Sequence, residues 1–347
     1  MSAGIGDGEL GERLAARMLE LVDIPSESRG ESAIAAHVAG VLRDGGGPVR
    51  DLGDSCVLAG DGAAPLLLAG HLDTVPAQGN LPGRRDGERV HGLGATDMKG
   101  ALAVMVELAL AGAGFDCLFF GREELPMGES ALTPLLAREP LAAELVVMME
   151  PTDNALHAGC LGNVNATWTF TGRAGHSARP WDADNAIHKA ARAIVALAAH
   201  EPQEHDFGGL RFYEVASVTQ VAGGIAANVI PDRAECHVNY RYAPGRSPQE
   251  AEARLAGLCA AGGGKLVVTS NSPSGPVPLE NAHLRRLRER LPMAPKQAWT
   301  PVAEFGLAGL DAINFGPGEP AQAHRRDESV RISALIEAYR VLEAFAA

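Results

Sequence analysis

In the segment Leu66-Leu67-Leu68-Ala69-Gly70-His71-Leu72-Asp73-Thr74-Val75-Pro76, an apolar run ends in two polar side chains. The apolar part predicts a buried strand. Because residues two apart in an extended chain point the same way, His71 and Asp73 leave the strand end on one side. A carboxylate there can fix the tautomer of an imidazole whose other nitrogen binds a metal ion. An isolated His-x-Asp is more often an ordinary surface turn, so the interpretation depends on the rest of the chain.

The composition is that of a packed globular protein. Of the 347 residues, 46% are hydrophobic and 21% are charged. This length is comfortable for two domains. With 30 basic and 43 acidic residues the net charge is −13, which disfavours nucleic acid and anionic membranes as partners.

Cysteine usage and the N-terminal segment indicate a compartment. The five cysteines are scattered and form no Cys-x-x-Cys pair, which favours free thiols in a reducing environment. Residues 1–9 lack the basic and apolar regions of a signal peptide. No apolar run approaches the roughly 18 residues that a membrane span needs. We therefore expect a cytoplasmic protein without a membrane-spanning segment.

Apolar strands end just before several acidic or imidazole side chains. One ends at His71, the run 116–121 precedes Glu123-Glu124, and the run 145–149 precedes Glu150. Strands that are apolar throughout are typical of a parallel sheet covered on both faces, where ligands bind beyond the carboxyl ends of the strands. The sequence therefore predicts an α/β domain with a mostly parallel sheet flanked by helices, and a site at that edge.

The pattern changes near Asn163, where polar and apolar residues begin to alternate. Alternation predicts strands with one exposed face. The order of elements from there is β-α-β-β-α-β, which is that of a ferredoxin-like unit. We expect residues 163–274 to form an inserted α+β lid and dimerisation domain. Residues 1–162 and 275–347 would form the catalytic domain.

Two segments have the sequence of a capping box, in which a serine and a glutamate three residues later close the first turn of a helix. One is Ser28 with Glu31. The other is Ser247 with Glu250, where Pro248 also suits the first helical position. We expect a helix to begin at each.

Imidazoles and carboxylates are concentrated at the predicted strand ends and in the loops that follow. Such a donor set without thiolates suits Zn²⁺, with Co²⁺ or Mn²⁺ as replacements. It contains more ligands than one tetrahedral ion binds, and it suits two ions about 3.5–4 Å apart that share a carboxylate. Adjacent side chains diverge, so one carboxylate of Glu123-Glu124 can bind metal while the other acts as a base; the alternative is a solvated surface pair. The candidates are His71, Asp73, Asp97, Glu123, Glu124, Glu150 and His324.

Short motifs lie in both predicted domains. The first contains GHLDTVP at 70–76, TDMKG at 96–100, EE at 123–124, EPT at 150–152 and a late His324. The second contains GHSA at 175–178 and NVIP at 228–231. Together these motifs resemble the M20 family of co-catalytic zinc aminoacylases and peptidases, and the resemblance covers nearly the whole chain.

Four further segments narrow the resemblance. They are GNLP at 79–82, DNAIHK at 184–189, NYRYAP at 239–244 and NFGPG at 314–318. Within the family they are most similar to the succinyl-diaminopimelate desuccinylases of the actinobacterial type. The resemblance implies a zinc-dependent hydrolase that cleaves N-succinyl-LL-2,6-diaminopimelate to succinate and LL-diaminopimelate for lysine biosynthesis.

The resemblance also implies a ligand set for two zinc ions per subunit. His71 and Glu150 would bind one ion. Glu124 and His324 would bind the other, and Asp97 would bridge the two.

Other side chains take roles in the reaction by the same resemblance. Asp73 would orient His71, and Glu123 would move a proton from the attacking water to the leaving amine. His176 would reach the site from the inserted domain of a second subunit and help to bind the oxyanion. Asn228 would lie at the same interface, so a homodimer through the inserted domain is expected.

Substrate carboxylates would be bound by Arg241 and Thr300, since a guanidinium can hold a carboxylate with two hydrogen bonds. Arg241 lies in an alternating strand and could instead face solvent. The segment after Thr300 departs from the desuccinylase pattern. Pro301 removes a carboxylate and a backbone donor, and Glu304 puts an acid where a base would suit an anionic substrate.

Two alternatives therefore stay open. The chain could be a deacylase or dipeptidase of the same family with another small N-acyl amino acid as substrate, such as one like N-acetylornithine. It could also be a non-catalytic member of the family. Such a member should have lost the base or a ligand, whereas Glu123 and all the implied ligands are present.

Overall fold

Helices and strands alternate along the computed structural model, which describes residues 5–346. The helices are α1 (Asp7–Val22), α2 (Ser32–Asp44), α3 (Gly100–Leu110), α4 (Leu132–Arg138), α5 (Ala186–Ala198), α6 (Pro248–Ala260), α7 (Ala282–Arg288), α8 (Val302–Leu307) and α9 (Ile332–Ala346). The strands up to the middle of the chain are β1 (Val49–Gly53), β2 (Cys56–Ala59), β3 (Leu66–His71), β4 (Arg84–Asp86), β5 (Arg89–His91), β6 (Asp116–Phe120), β7 (Leu145–Met148), β8 (Leu156–Ala158) and β9 (Gly162–Thr171). The remaining strands are β10 (Gly175–His176), β11 (Gln203–Phe207), β12 (Leu210–Gly223), β13 (Val229–Ile230), β14 (Arg233–Tyr242), β15 (Lys265–Ser272), β16 (Met293–Pro295), β17 (Ala312–Asn314) and β18 (Ser329–Arg331).

The chain divides into two units. The first takes in the chain up to Gly159, Pro276–Ala294 and the chain from Thr300 onwards. The second consists of Cys160–Gly275 and Pro295–Trp299. The short segment Pro295–Trp299 had no place in the predicted inserted domain. It joins the second unit because its main chain and side chains bond there, as when the Trp299 indole donates to the Pro273 carbonyl at 3.1 Å.

The first unit is built on a sheet of order β1-β2-β6-β3-β7-β17-β8-β16. Its central neighbours β6, β3, β7 and β17 are parallel, while β2 pairs with β6 and β8 with β17 in the antiparallel sense. Every residue of β3 is buried, as expected for a strand covered on both faces. The predicted α/β fold with a mostly parallel sheet is confirmed.

The second unit contains an antiparallel sheet of order β11-β12-β14-β9-β15. Helices α5 and α6 cover one face of this sheet. Every second residue of the strands packs against them, and Trp168 and Tyr240 are fully buried there. The opposite face is mostly polar and includes Asn165, Asn239 and Arg241. The predicted ferredoxin-like order is confirmed, with β11 added at the edge as one arm of a hairpin.

The helix expected at Ser28 begins at Ser32 instead. The Ser28 hydroxyl donates to Asp73 Oδ2 at 2.8 Å. Glu31 accepts the main-chain N–H of Arg122 at 3.1 Å. The predicted capping box was wrong here because Ser28 binds Asp73, while Glu31 accepts from the main chain of Arg122 and of Arg29.

The capping box of Ser247 and Glu250 is present at the start of α6. The polar segment 77–96 contains the hairpin β4–β5, to which β18 adds a third strand. Its short, mostly exposed strands lack the apolar run that would predict them.

Cys56, Cys117, Cys160, Cys236 and Cys259 are all buried free thiols, as their spacing predicted. Among residues 5–346, none of the helices combines the length and the apolar character that a membrane crossing requires.

Candidate metal centre

The ends of three parallel strands in the first unit bring ionisable side chains together. His71 is the last residue of β3, while Glu123-Glu124 follows β6 and Glu150 follows β7. Because neighbouring parallel strands end at the same edge of a sheet, these side chains meet there. The loops that carry Asp97 and His324 complete the cluster.

The first group of possible ligands consists of His71, Asp97 and Glu150, whose ligand atoms all lie within 4.8 Å of one another. His71 Nε2 lies 3.1 Å from Asp97 Oδ1 and 4.0 Å from Glu150 Oε1. His71 is 1% exposed and Glu150 is 7% exposed. Such a set of one imidazole and two carboxylates, with only Asp97 partly exposed, suits a divalent cation.

The second group consists of Asp97, Glu124 and His324. His324 Nε2 lies 3.0 Å from Glu124 Oε1 and 3.5 Å from Asp97 Oδ2. Asp97 thus presents one oxygen to each imidazole and belongs to both groups. A carboxylate shared in this way is the arrangement that two neighbouring ions require.

Glu123 lies beside these groups, and a third possible ligand set joins it with His71 and Glu124. Burial raises the pKa of Glu123 well above its usual range, and the nearby carboxylate of Glu150 raises it further. A carboxyl group with a raised pKa beside charged neighbours is typical of a group that exchanges protons in a reaction.

The two imidazoles hold protons more tightly than free histidine. Burial lowers the pKa of His71, but its hydrogen bonds to Asp73 and Asp97 outweigh this and raise the pKa well above its usual range. The hydrogen bond to Glu124 raises the pKa of His324 to about 9. The surrounding carboxylates therefore create a field that attracts positive charge.

Asp73 contacts both His71 and the turn that carries Glu123-Glu124. His71 Nδ1 lies 3.0 Å from the main-chain oxygen of Asp73 and 3.6 Å from its Oδ1. The Asp73 carboxylate accepts the main-chain N–H of Glu123 at 3.0 Å and that of Glu124 at 3.1 Å. The sequence predicted only the contact with the imidazole.

The sequence also missed two polar side chains that support the centre. Ser28 donates to Asp73, and the buried carboxylate of Glu328 accepts three main-chain N–H groups, those of Gly94, Thr96 and Asp97. Glu328 follows the exposed run 325–327 in sequence, and no periodicity marks it as buried.

Thr300 and Glu304 are both buried in the first unit, each 2% exposed. Glu304 Oε1 accepts the hydroxyl of Thr133 on α4 at 2.5 Å. Burial raises the pKa of Glu304, and hydrogen bonds from Thr133 and Ser130 offset only part of that rise. The acid that departs from the desuccinylase pattern is thus bound by neighbouring hydroxyl groups inside the unit.

The remaining predicted residues lie in the second unit. His176 and Asn228 are exposed and close together, because the N–H of Ser177 donates to the Asn228 carbonyl at 3.0 Å. Arg241 is half-buried on the polar face of the sheet, where its Nε donates to Asn239 Oδ1 at 3.0 Å. Burial lowers the pKa of Arg241.

Comparison with known proteins gives the same family for both units. A sequence model described as the peptidase dimerisation domain of the M20 group matches residues 159–266. A Mycobacterium tuberculosis protein provisionally named succinyl-diaminopimelate desuccinylase DapE is 37% identical over 340 residues, 94% of this chain and 95% of the relative. The succinyl-diaminopimelate desuccinylase of Corynebacterium glutamicum is 32% identical over 345 residues, 94% of each chain.

A solved structure has the same fold. The YXEP protein of Bacillus subtilis, described as a dinuclear metal-binding peptidase from the M20 family, superposes with a TM-score of 0.66 at 16% identity. The match covers 97% of both chains. Because a relative is 37% identical over 94% of this chain, the chain belongs to the M20 family of metal-dependent amidohydrolases.

Proposed function

We propose that this chain is a two-zinc amidohydrolase that cleaves N-succinyl-LL-2,6-diaminopimelate to succinate and LL-diaminopimelate, a step of lysine biosynthesis. The observation that supports the mechanism most is Asp97, which presents one carboxylate oxygen to each of two imidazoles. The names of the two bacterial relatives support the substrate.

The donor chemistry fits a pair of zinc ions. His71 and Glu150 would hold one ion, Glu124 and His324 the other, and Asp97 would touch both. The ligand groups contain imidazoles and carboxylates only, a set that suits Zn²⁺ and also accepts Co²⁺ or Mn²⁺. When bound, such a pair of ions lowers the pKa of a water molecule and polarises the amide carbonyl.

Glu123 then supplies the proton transfers. Its carboxylate takes a proton from the attacking water, whose oxygen forms a bond to the acyl carbon. The bond from that carbon to the amide nitrogen breaks, and Glu123 gives the proton to the leaving nitrogen. The half-buried position of Glu123 beside Glu150 suits this role because it raises the pKa of the carboxyl group.

The substrate's anionic groups need cationic or hydroxyl partners. We infer that Arg241 and Thr300 bind substrate carboxylates and that His176 donates to the developing oxyanion. Arg241 supports this because its guanidinium is half-buried among asparagine side chains that cannot neutralise its charge. Asn228 lies beside the strand of His176 and would act at the same interface.

We infer a homodimer formed through the second unit. In the described part of the chain, β11 covers only Leu210–Glu214 of the long strand β12, and the rest of that edge has no strand beside it. Val221 is 55% exposed on this part of β12, and Ile225 just beyond it is 89% exposed. An open strand edge with apolar side chains is suited to pairing with a second copy.

A different acyl group is the second candidate, and the segment after Thr300 favours it. Pro301 and Glu304 stand where the desuccinylase pattern has an aspartate and an arginine. With the Glu304 carboxyl bound to Thr133, this segment offers no cation to a succinyl carboxylate. A substrate with an uncharged acyl group, such as an N-acetyl amino acid, would need none.

The test is hydrolysis by the purified protein after removal of metal and titration with Zn²⁺. We expect two zinc ions per chain and turnover of the succinyl substrate above that of acetyl amino acids and dipeptides. Turnover of an acetyl substrate alone would replace the proposed substrate. Fewer than one zinc per chain would reject the metal centre, and two zinc ions with no turnover of any substrate would indicate a non-catalytic protein.

A further inference from the structure

A buried carboxylate outside the proposed ligand set holds the loop that carries Asp97. Glu328 is 2% exposed. Its Oε1 accepts the main-chain N–H groups of Thr96 at 2.8 Å and Asp97 at 2.9 Å. Its Oε2 accepts the N–H of Gly94 at 2.9 Å. Because both oxygens of one side chain accept from three N–H groups of residues 94–97, this carboxyl group fixes the main chain of the loop.

Glu328 also joins this loop to the segment that carries His324. Glu328 follows His324 closely in the chain, and the next residue, Ser329, accepts the hydroxyl of Thr96 at 2.9 Å through its carbonyl. The two segments are thus bound to each other at Glu328. The same two segments also approach each other at the proposed metal centre, where Asp97 Oδ2 lies 3.5 Å from His324 Nε2.

The three donors require a carboxylate and not simply a polar side chain. Glutamine would offer one acceptor oxygen and an NH₂ group that only donates. At position 328 that NH₂ group would face either the N–H of Gly94 or the N–H groups of Thr96 and Asp97. One end of the loop would lose its bond, and the Asp97 carboxylate would shift with it.

We propose that Glu328 is a positioning residue for the metal centre. By holding the main chain of residues 94–97, it presents the Asp97 carboxylate to both His71 and His324 and so sets the affinity for the metal pair. This inference rests on the metal centre proposed above. A purely structural anchor would stabilise the protein equally with and without metal.

The test compares E328Q with E107Q by zinc titration against a chelator and by melting with and without zinc. Glu107 is a matched control, since it is 3% exposed and bound to Arg13 and Arg17 on α1. E328Q should weaken zinc binding by about 10–100-fold, as loss of groups that orient ligands typically does. It should also reduce the gain in Tm on adding zinc, because that gain follows affinity. E107Q should lower the Tm of both forms and leave the gain unchanged.

An E328Q protein with wild-type zinc affinity and a wild-type gain in Tm would overturn the proposal, even if its Tm were lower in both forms. A wild-type protein that binds no metal would instead reject the metal centre itself. If E328Q does not fold, E328D decides the question, since it keeps both oxygens on a shorter stem. Weaker zinc binding by E328D supports the proposal, and unchanged binding overturns it.

Discussion

The main-chain N–H of Glu123 donates to Asp73 Oδ1 at 3.0 Å, so the carboxylate two residues after the first imidazole ligand fixes the position of the proposed base. The other oxygen of Asp73 accepts the N–H of Glu124 at 3.1 Å. One carboxylate therefore sets the direction of both glutamate side chains, and it lies 3.6 Å from the His71 ring. The base, a ligand of each proposed ion and the residue that orients them form one hydrogen-bonded unit.

Replacing Asp73 with asparagine should disturb both the orientation of His71 and the position of the turn that carries Glu123 and Glu124. The amide keeps one acceptor oxygen, and its NH₂ group faces an N–H donor. We expect D73N to lose about 10–100-fold in zinc affinity and a similar factor in activity. Zinc competition and kcat/KM measure the two effects. S28A is the control, because it removes only the hydroxyl bond to Asp73 and should change either value less than D73N. Equal effects of the two variants would contradict the argument.

Mutation should distinguish the role of Glu123 as the base from that of Glu124 as a metal ligand, although the two residues are adjacent. Without its general base, E123Q should lose about 10²–10⁴-fold in kcat and still bind two zinc ions. E124Q should lose the ion that His324 shares. The control is E129Q, an exposed carboxylate of the same loop, which should keep both activity and metal. A loss of zinc in E123Q, measured by metal analysis, would show that the two roles are exchanged.

The sequence sufficed for the sheet and the cluster because local patterns determine both. An apolar run such as residues 66–70 of β3 is expected to be buried, and side chains at the ends of neighbouring parallel strands are expected to meet. The sequence did not predict that Ser28 binds Asp73, because a serine and a glutamate at capping-box spacing are also free to bond across the fold. It did not reveal Glu328 either, since its partners are main-chain groups far away in the chain.

Burial of Glu304 fixes the sign of its contribution to the pH dependence of folding stability. Its pKa is raised in the folded protein, so the folded state binds more protons than the unfolded state between the unfolded pKa and the raised folded one. The stability that Glu304 contributes is therefore full at low pH and lost as pH rises through the folded pKa. We expect the stability of metal-free E304Q relative to wild type to increase with pH above the usual range of glutamate. Chemical unfolding at several pH values measures this, and a difference that is constant or falls with pH would contradict it.

A charge placed on the open edge of β12 should prevent this strand from pairing with a second copy. A lysine on an edge strand opposes pairing with another strand. We expect V221K to convert the proposed dimer to monomer at micromolar concentration in analytical ultracentrifugation. V267K is the matched control, because Val267 lies on β15 at the other edge of the same sheet and is 45% exposed. If V267K dissociates the dimer and V221K does not, the interface lies at that other edge.

Mixing two inactive variants tests whether His176 acts across the dimer. In a hybrid of H176A with E123Q, the H176A subunit keeps its own base and would receive the intact His176 of its partner. Co-expression at equal levels gives hybrids as half of all dimers, each with one complete site, so activity should recover to about a quarter of wild type. The separate variants, each far below that level, are the controls. If His176 served its own subunit, no hybrid site would be complete and the mixture would stay inactive, although ultracentrifugation would still find dimers.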